Sequence, residues 1–231
     1  GRQPDARRRG RRAAGPHRLT LSDPTTERLV DALSLAVHDM GEPLREVGGF
    51  AELLDRRASD SLSVEEQDLL AHVLAGSRRL QVMVAALAEY LRAERAELRV
   101  ESVAVPELLD EGDVEVGAVP AVSGDRALLA ALFSRVVDNA RKFGSSSIAV
   151  RGRRDGDRVV VEVVDDGIGV PEGDRERVLR LFQRAHGRDE YAGAGVGLTI
   201  AAAIAARHGG SLSLHGREGG GTVVRIALPA A

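Results

Sequence analysis

Apolar residues recur at steps of three and four through Leu29, Leu33, Val37, Met40, Leu44 and Val47, the spacing of one face of an α-helix. Thr25 or Thr26 can cap this helix, which the pattern carries to about Arg57. Gly41 and Pro43 interrupt it locally, Gly48 and Gly49 ease it again, and Pro43, which lacks an N–H, should bend it just past His38. His38 follows Val37 on the border of the apolar face, so it lies near the seam without being buried in it. Ala58 to Leu62 reads as a polar turn. Ser63-Val64-Glu65-Glu66 then has capping-box spacing and opens a second helix to about Glu97, with a stripe of Leu69, Leu70, Val73, Leu74, Leu80, Val84, Leu87 and Leu91. Two amphipathic helices joined by a short turn predict an antiparallel hairpin. A hairpin alone buries too little surface, whereas two copies in a four-helix bundle would cover both stripes, so the periodicity predicts a homodimer.

The pattern changes near Arg99. Arg99 to Val105 alternates like a strand, Pro106 to Glu111 reads as a short helical or turn segment, and Val114 to Val119 as another strand. Gly124-Asp125 leads into an apolar helix over Arg126 to Phe143. Ser147 to Arg153 and Val159 to Val164 follow as a hairpin around Asp155-Gly156-Asp157. A polar, glycine-containing loop starts at Asp165, and a second glycine-spaced segment from Gly193 opens a helix that ends at His208-Gly209-Gly210. Ser211 to His215 and Thr222 to Leu228 close the chain as strands. The expected organisation is a basic tail over residues 1–24, a helical hairpin over 25–97, and over 98–231 an α+β sandwich with helices on one face of a mixed sheet.

Composition narrows the partners. Hydrophobic residues make up 43% of the 231 positions, enough for real cores, while aromatics are only 3%, too few for a base-stacking surface. Nucleic acid is therefore not an expected partner. The net charge of −3 hides a basic start, with Arg2, Arg7, Arg8, Arg9, Arg11, Arg12 and Arg18 offset only by Asp5. A run of this kind reads as a solvated tether. There is no cysteine, which excludes disulfides and thiolate chemistry and fits a reducing, cytoplasmic interior. No apolar run reaches the ~18 residues of a membrane span. The chain opens on Gly1 and not on methionine, as a fragment or processed chain would, and a sensory portion upstream is expected to be missing.

Several residues carry candidate chemistry. Gly193-Ala194-Gly195-Val196-Gly197 lets the backbone wrap an anion, and the helix that follows adds its positive end. It is not a dinucleotide fingerprint, because no strand precedes it, nor a Walker loop, because no Gly-Lys-Ser/Thr follows. Asp165 can accept a hydrogen bond from a ring amino group, with Gly167 and Gly169 letting a purine approach the backbone; the plain alternative is a tight acidic turn. Asn139 can offer an amide oxygen to Mg²⁺, Lys142 can meet phosphate and Phe143 can pack near a base, against plain readings as a cap and a core residue. Taken alone, His38 reads as a partly exposed surface histidine.

In order, His38-Asp39-Met40-Gly41-Glu42-Pro43-Leu44 resembles the phosphoacceptor box of bacterial sensor histidine kinases, and Arg135-Val136-Val137-Asp138-Asn139-Ala140-Arg141-Lys142-Phe143 their asparagine box. Asp165-Asp166-Gly167-Ile168-Gly169 resembles the first glycine box, Leu181-Phe182-Gln183-Arg184 the phenylalanine box, and Gly193-Ala194-Gly195-Val196-Gly197-Leu198 the second glycine box. The similarity covers residues 25 to 231 and is greatest to kinases attached to phytochrome-like sensors. It implies a dimerisation and phosphoacceptor hairpin followed by an ATP-binding domain. His38 would attack the γ-phosphorus of ATP, with Asp39 orienting or deprotonating its imidazole. Asn139 would ligate Mg²⁺, Asp165 would recognise adenine and Lys142 would contact phosphate. Gln183 to Val196 would form a lid carrying Arg184, His186 and Arg188 as candidate phosphate contacts. The phosphoryl group would pass to an aspartate of a response-regulator receiver domain.

The chain also departs from the pattern. Arg135 stands where the family usually has its first asparagine, which removes one contribution to the metal site and predicts weak autophosphorylation. Gly41 replaces a frequently basic residue and Ala194 a common threonine. Glu42 stands where strong phosphatases carry threonine or asparagine. Arg135 also motivates an alternative, a non-catalytic dimeric signalling or adaptor module with a degenerate nucleotide site.

Overall fold

A computed structural model describes residues 24–58, 61–109, 112–185 and 195–231. The expected tail lies outside them apart from Pro24. Helix α1 (Pro24–Ala58) begins at that proline, ahead of Thr25 and Thr26, which the sequence pattern had suggested as caps. Proline suits a first helical position because the missing N–H would have no intrahelical acceptor there. The helix also runs unbroken through Gly41 and Pro43, contrary to the interruption expected. The partner helix α2 (Val64–Arg95) meets α1 at this point. Directly after Pro43, the Leu44 carbonyl accepts from Gln81 Nε2 at 2.9 Å and from Ser77 Oγ at 3.4 Å. Gly48 makes that approach possible, since a Cβ there would stand 2.8 Å from Ser77 Oγ.

α2 starts with the capping box: Ser63 accepts from the Glu66 amide, and the Glu66 carboxylate accepts from the Ser63 amide at 2.8 Å. Ion pairs Asp31–Arg95 and Glu52–Arg78 join early to late positions, so the hairpin is antiparallel. Its inner seam on α1 is Val37, Leu44 and Ala51, a seven-residue spacing. The parallel line Leu33, Met40, Val47 and Leu54 stays exposed, with Phe50 beside it at 70%. Leu69, Val73 and Leu80 are equally uncovered on α2.

Strand β1 (Val100–Val103) pairs antiparallel with β3 (Val122–Asp125), a strand the sequence pattern did not predict. β2 (Val114–Val116) runs parallel to β4 (Ile148–Asp155), which pairs antiparallel with β5 (Arg158–Asp165). β6 (Ser211–Gly216) and β7 (Thr222–Pro229) complete a five-stranded mixed sheet of order β2-β4-β5-β7-β6. Helices α3 (Arg126–Lys142) and α4 (Gly197–Arg207) cover one face of it. Leu129, Phe133, Val136, Ile200 and Ile204 meet Ile148, Val161, Val163 and Ile226 there, all fully buried. Ala86, Ala93 and the half-buried Tyr90 join this same core from α2, so the far half of that helix serves the sandwich and not only the hairpin.

The relative placement of α3 and α4 is set by a polar node. Asp125 caps α3 by accepting from the Leu128 amide at 3.1 Å, and its other oxygen accepts from the Arg99 amide at 3.0 Å. Its own N–H donates at 2.9 Å to Nε2 of the buried His208, just past α4. Nε2 must therefore be unprotonated, and Nδ1–H donates to the Ile204 carbonyl at 2.8 Å. Gly124 leaves room for the ring, because a Cβ there would lie 2.6 Å from His208 Cδ2. His208→Leu leaves the Asp125 amide unpaired and is expected to cost about 1–3 kcal/mol. A reduced urea midpoint with unchanged slope would record that loss.

Candidate functional site

The ends of α3 and α4 and the loop after β5 enclose a cavity of about 220 Å³. α3 contributes Asn139, Lys142 and Phe143 from its last turn and C-cap, and α4 contributes Gly197 and Leu198 from its first. Among the described residues no side chain caps α4, so the amides of its opening turn lack an intrahelical acceptor and bring the helix's positive end to the cavity. Gly195 has φ of +71°, and a Cβ on it would stand 2.8 Å from the Gln183 carbonyl, which ties this segment closely to Gln183-Arg184. Phe182, just before, is held at φ of +62°, a left-handed conformation that is strained for a side chain of its size.

Asp165 ends β5 and is buried against the cavity. Its Oδ1 accepts from the Gly167 amide at 3.0 Å and the Thr222 amide at 3.1 Å. Burial pushes its carboxyl above the ordinary aspartate value, while these two amides pull the other way. Gly167 is required where it stands, since a Cβ would meet the Phe143 carbonyl at 2.7 Å. Gly221, at φ of +97°, has its α-carbon turned toward the Asp165 backbone, and any side chain there would overlap the Asp165 carbonyl. The neighbouring Asp166 points the other way, accepting from Ser145 Oγ at 2.8 Å, Ser146 Oγ at 2.6 Å and the Ser147 amide at 2.9 Å. These bonds hold its carboxyl well below the ordinary range. One aspartate thus faces the cavity while the other fastens the turn between α3 and β4.

The cationic side is formed by Lys142, Arg184 and Arg135. Lys142 Nζ lies 4.9 Å from the centroid of the Phe143 ring. Burial, and secondarily the charge of Arg184, lowers its ammonium below the ordinary lysine value, a tension that an anion between the two cations would relieve. The residues suggested by sequence therefore fall into two groups. Asn139, Lys142, Phe143, Asp165, Gly169, Arg184, Gly195, Gly197 and Leu198 line one cavity, with Gly167 behind Asp165. His38 and Asp39 are exposed on α1, and His38 borders a separate groove with Gln81, Val84 and Ala88 of α2. Gly193, His186 and Arg188 lie outside the described residues. Thr222 and Asp138 were missed by the sequence reading. The run Gly219-Gly220-Gly221 before Thr222, all three at positive φ, was the available signal for the first.

Residues 124–231 match the family of histidine kinase-, DNA gyrase B- and HSP90-like ATPases. Over 211 residues the chain is 30% identical to the phytochrome-like protein Cph1 of Synechocystis, covering 84% of this chain and 28% of that protein. Over 222 residues it is 31% identical to the sensor-like histidine kinase SenX3 of Mycobacterium tuberculosis, covering 87% of this chain and 53% of that one. The chain thus spans between about a quarter and about a half of these relatives. A crystal structure of full-length ShkA in complex with AMPPNP superposes with a TM-score of 0.59 at 25% identity, covering 87% of this chain and 46% of that one. No helix among the described residues is long and apolar enough to cross a membrane.

The two adjacent aspartates make opposite contributions to acid stability. Asp166, depressed below 3.8, adds stability that is present above that value and is lost as pH falls through its lower folded value. Asp165, raised above 3.8, is favoured in its protonated form by the fold, so its ionisation costs stability as pH rises through that higher value. Side-chain carboxyl NMR should find their midpoints on opposite sides of 3.8. In Asp166→Asn the urea midpoint should change less than in the parent between about pH 5 and about pH 3; an unaltered pH dependence would contradict the assignment.

Proposed function

Because this chain belongs to the sensor histidine kinases, as their catalytic core, we propose that it phosphorylates His38 with ATP held in the α3–α4 cavity. The observation that carries this reading is the cavity itself. A buried carboxylate suited to an amino-purine, two crowded cations and a helix N-terminus with no side-chain cap among the described residues line it together. Asp165 would take the adenine amino group, with Gly167 and Gly169 admitting the ring. Lys142, Arg184 and the amides from Gly195 to Leu198 would hold the phosphates, with Gly193 in the same glycine segment.

Mg²⁺ fits the donor set in a limited way. Among the described residues no cluster of three or more His, Cys, Asp or Glu could cage a metal. The half-buried Asn139 offers a single hard oxygen on the cavity, which suits an ion that keeps waters and phosphate oxygens as its other ligands. When bound, Mg²⁺ would neutralise charge on the polyphosphate. The Nε2 lone pair of His38 forms the P–N bond as the P–O bond to ADP breaks. Asp39 holds the Nδ1 proton, so that Nε2 stays the nucleophile. The phosphoryl group then passes to an aspartate of a receiver domain docked on the hairpin. The uncovered line Leu33, Met40, Val47 and Leu54 with Leu69, Val73 and Leu80 is the surface for a second copy in a four-helix bundle. An upstream sensor would act through that bundle, and use of ATP would suit a cytoplasmic chain. The cavity's full set of acid, cations and amides favours this reading over a non-catalytic adaptor.

Incubation with γ-labelled ATP should yield acid-labile, alkali-stable label on the parent chain and none on His38→Gln, which should still bind nucleotide. Label retained by His38→Gln would refute the acceptor. Asp165→Asn should weaken ATP binding about 10- to 100-fold, the scale of a lost hydrogen bond to a buried charge.

A further inference from the structure

The ATP-binding domain rests on α2 through an apolar stripe, Ala86, Tyr90 and Ala93, and through two arginines. Arg207, at the end of α4, donates to the backbone carbonyl of Ala96 in the segment after α2. Arg135, on α3, forms an ion pair with Glu89 of α2. In both, Nε is buried with no hydrogen-bond partner among the described residues. The two anchors differ in what surrounds them. Arg207 grips main chain at the far end of α4 from the cavity. Arg135 lines the cavity itself, one helical turn before Asn139 and on the same face of α3. Glu89 directly follows Ala88, which lines the groove beside His38. The Arg135–Glu89 pair therefore spans the boundary between the nucleotide cavity and the phosphoacceptor helix pair.

A guanidinium has five donors, and here one partly exposed carboxylate takes up part of that capacity, with side-chain exposures of 26% for Arg135 and 36% for Glu89. Phosphate oxygens in the adjoining cavity would likewise offer the guanidinium paired anionic acceptors, with more charge. We propose that Glu89 and the polyphosphate of a bound nucleoside triphosphate compete for the Arg135 guanidinium, making Arg135 a latch that triphosphate binding releases from α2. The proposal rests on the assignment of the cavity to ATP. Linkage makes the effect reciprocal: phosphate weakens the hold of the domain on α2, and Glu89 weakens the hold of the cavity on phosphate by the same factor. Arg207 and the Ala86–Tyr90–Ala93 stripe stay in place as the pivot. Arg135 is on this account a positioning residue whose charge is shared between two duties.

The test is a cycle of variants of the whole chain, Glu89→Gln, Arg135→Gln and both together, titrated with Mg²⁺-ATP and with adenosine by calorimetry. Glu89→Gln should tighten ATP binding about two- to fivefold, the scale of a partly exposed ion pair, and leave adenosine binding unchanged. In the Arg135→Gln background the same substitution should have no effect. Since the chain has no cysteine, spin labels at Arg79→Cys on α2 and Arg154→Cys on β4 can report the separation directly. ATP should broaden that distance in the parent, and Glu89→Gln should show the broadened distribution without it. An unchanged ATP affinity in Glu89→Gln, or an equal change in both backgrounds, would overturn the latch while leaving ATP binding intact. Failure of every form to bind ATP would instead overturn the assignment of the cavity, and the latch with it.

Discussion

The buried carboxylate of Asp165 is the constraint on which the cavity depends. A charge removed from water at the end of a central strand is costly unless donors surround it. Two of those donors are backbone amides, from Gly167 and Thr222, that lie far apart in the chain and meet only because β5 and β7 are paired neighbours. The requirement propagates outward. Gly167 must lack a side chain to fit under the Phe143 carbonyl, and Gly221 must lack one to pass the Asp165 carbonyl. The loop, the start of β7 and the end of α3 are thus held in one arrangement by a single acidic group. Asp166 secures the same corner from outside through Ser145, Ser146 and Ser147.

A second level of order comes from α2, which serves two cores. Its first half buries Leu70, Leu74 and Ser77 toward the hairpin, and its second half buries Ala86 and Ala93 in the sandwich. One rigid helix therefore couples the position of the nucleotide cavity to the helix that carries His38. Small residues at Ala86 and Ala93 allow the sandwich to approach, and polar contacts at Glu89 and Ala96 set how firmly it is held. Interfaces of this composition, small apolar contacts rimmed by charge, suit reversible docking better than permanent fusion.

Much was legible in the chain because it depends on local spacing. Heptad-like apolar steps specify the two helices, Ser63 and Glu66 specify where the second begins, and valine runs specify β5 and β7. The residues that line the cavity were legible as types: a carboxylate, an amide, two cations and glycines where a backbone must pass closely. Their order along the chain resembles that of a known family, and the fold agrees with it.

Tertiary structure decided what pairing across distance alone can decide. β3 has too few residues and too weak an alternation to announce itself, and exists because β1 lies opposite it. Thr222 joins the site only through the β5–β7 register, and His208 becomes a structural ligand only once α4 ends beside Asp125. The helix runs on through Pro43, and side chains from α2 reach the carbonyl of the very next residue, Leu44. Arg135, which in the sequence is merely an unusual residue in an asparagine box, acquires a partner, Glu89, 46 positions earlier. Local periodicity thus determined the elements and the kinds of chemistry they carry. Which charges face one another, and across which boundary, was settled by packing, because hydrogen bonds and ion pairs between distant segments leave no periodic trace in the sequence.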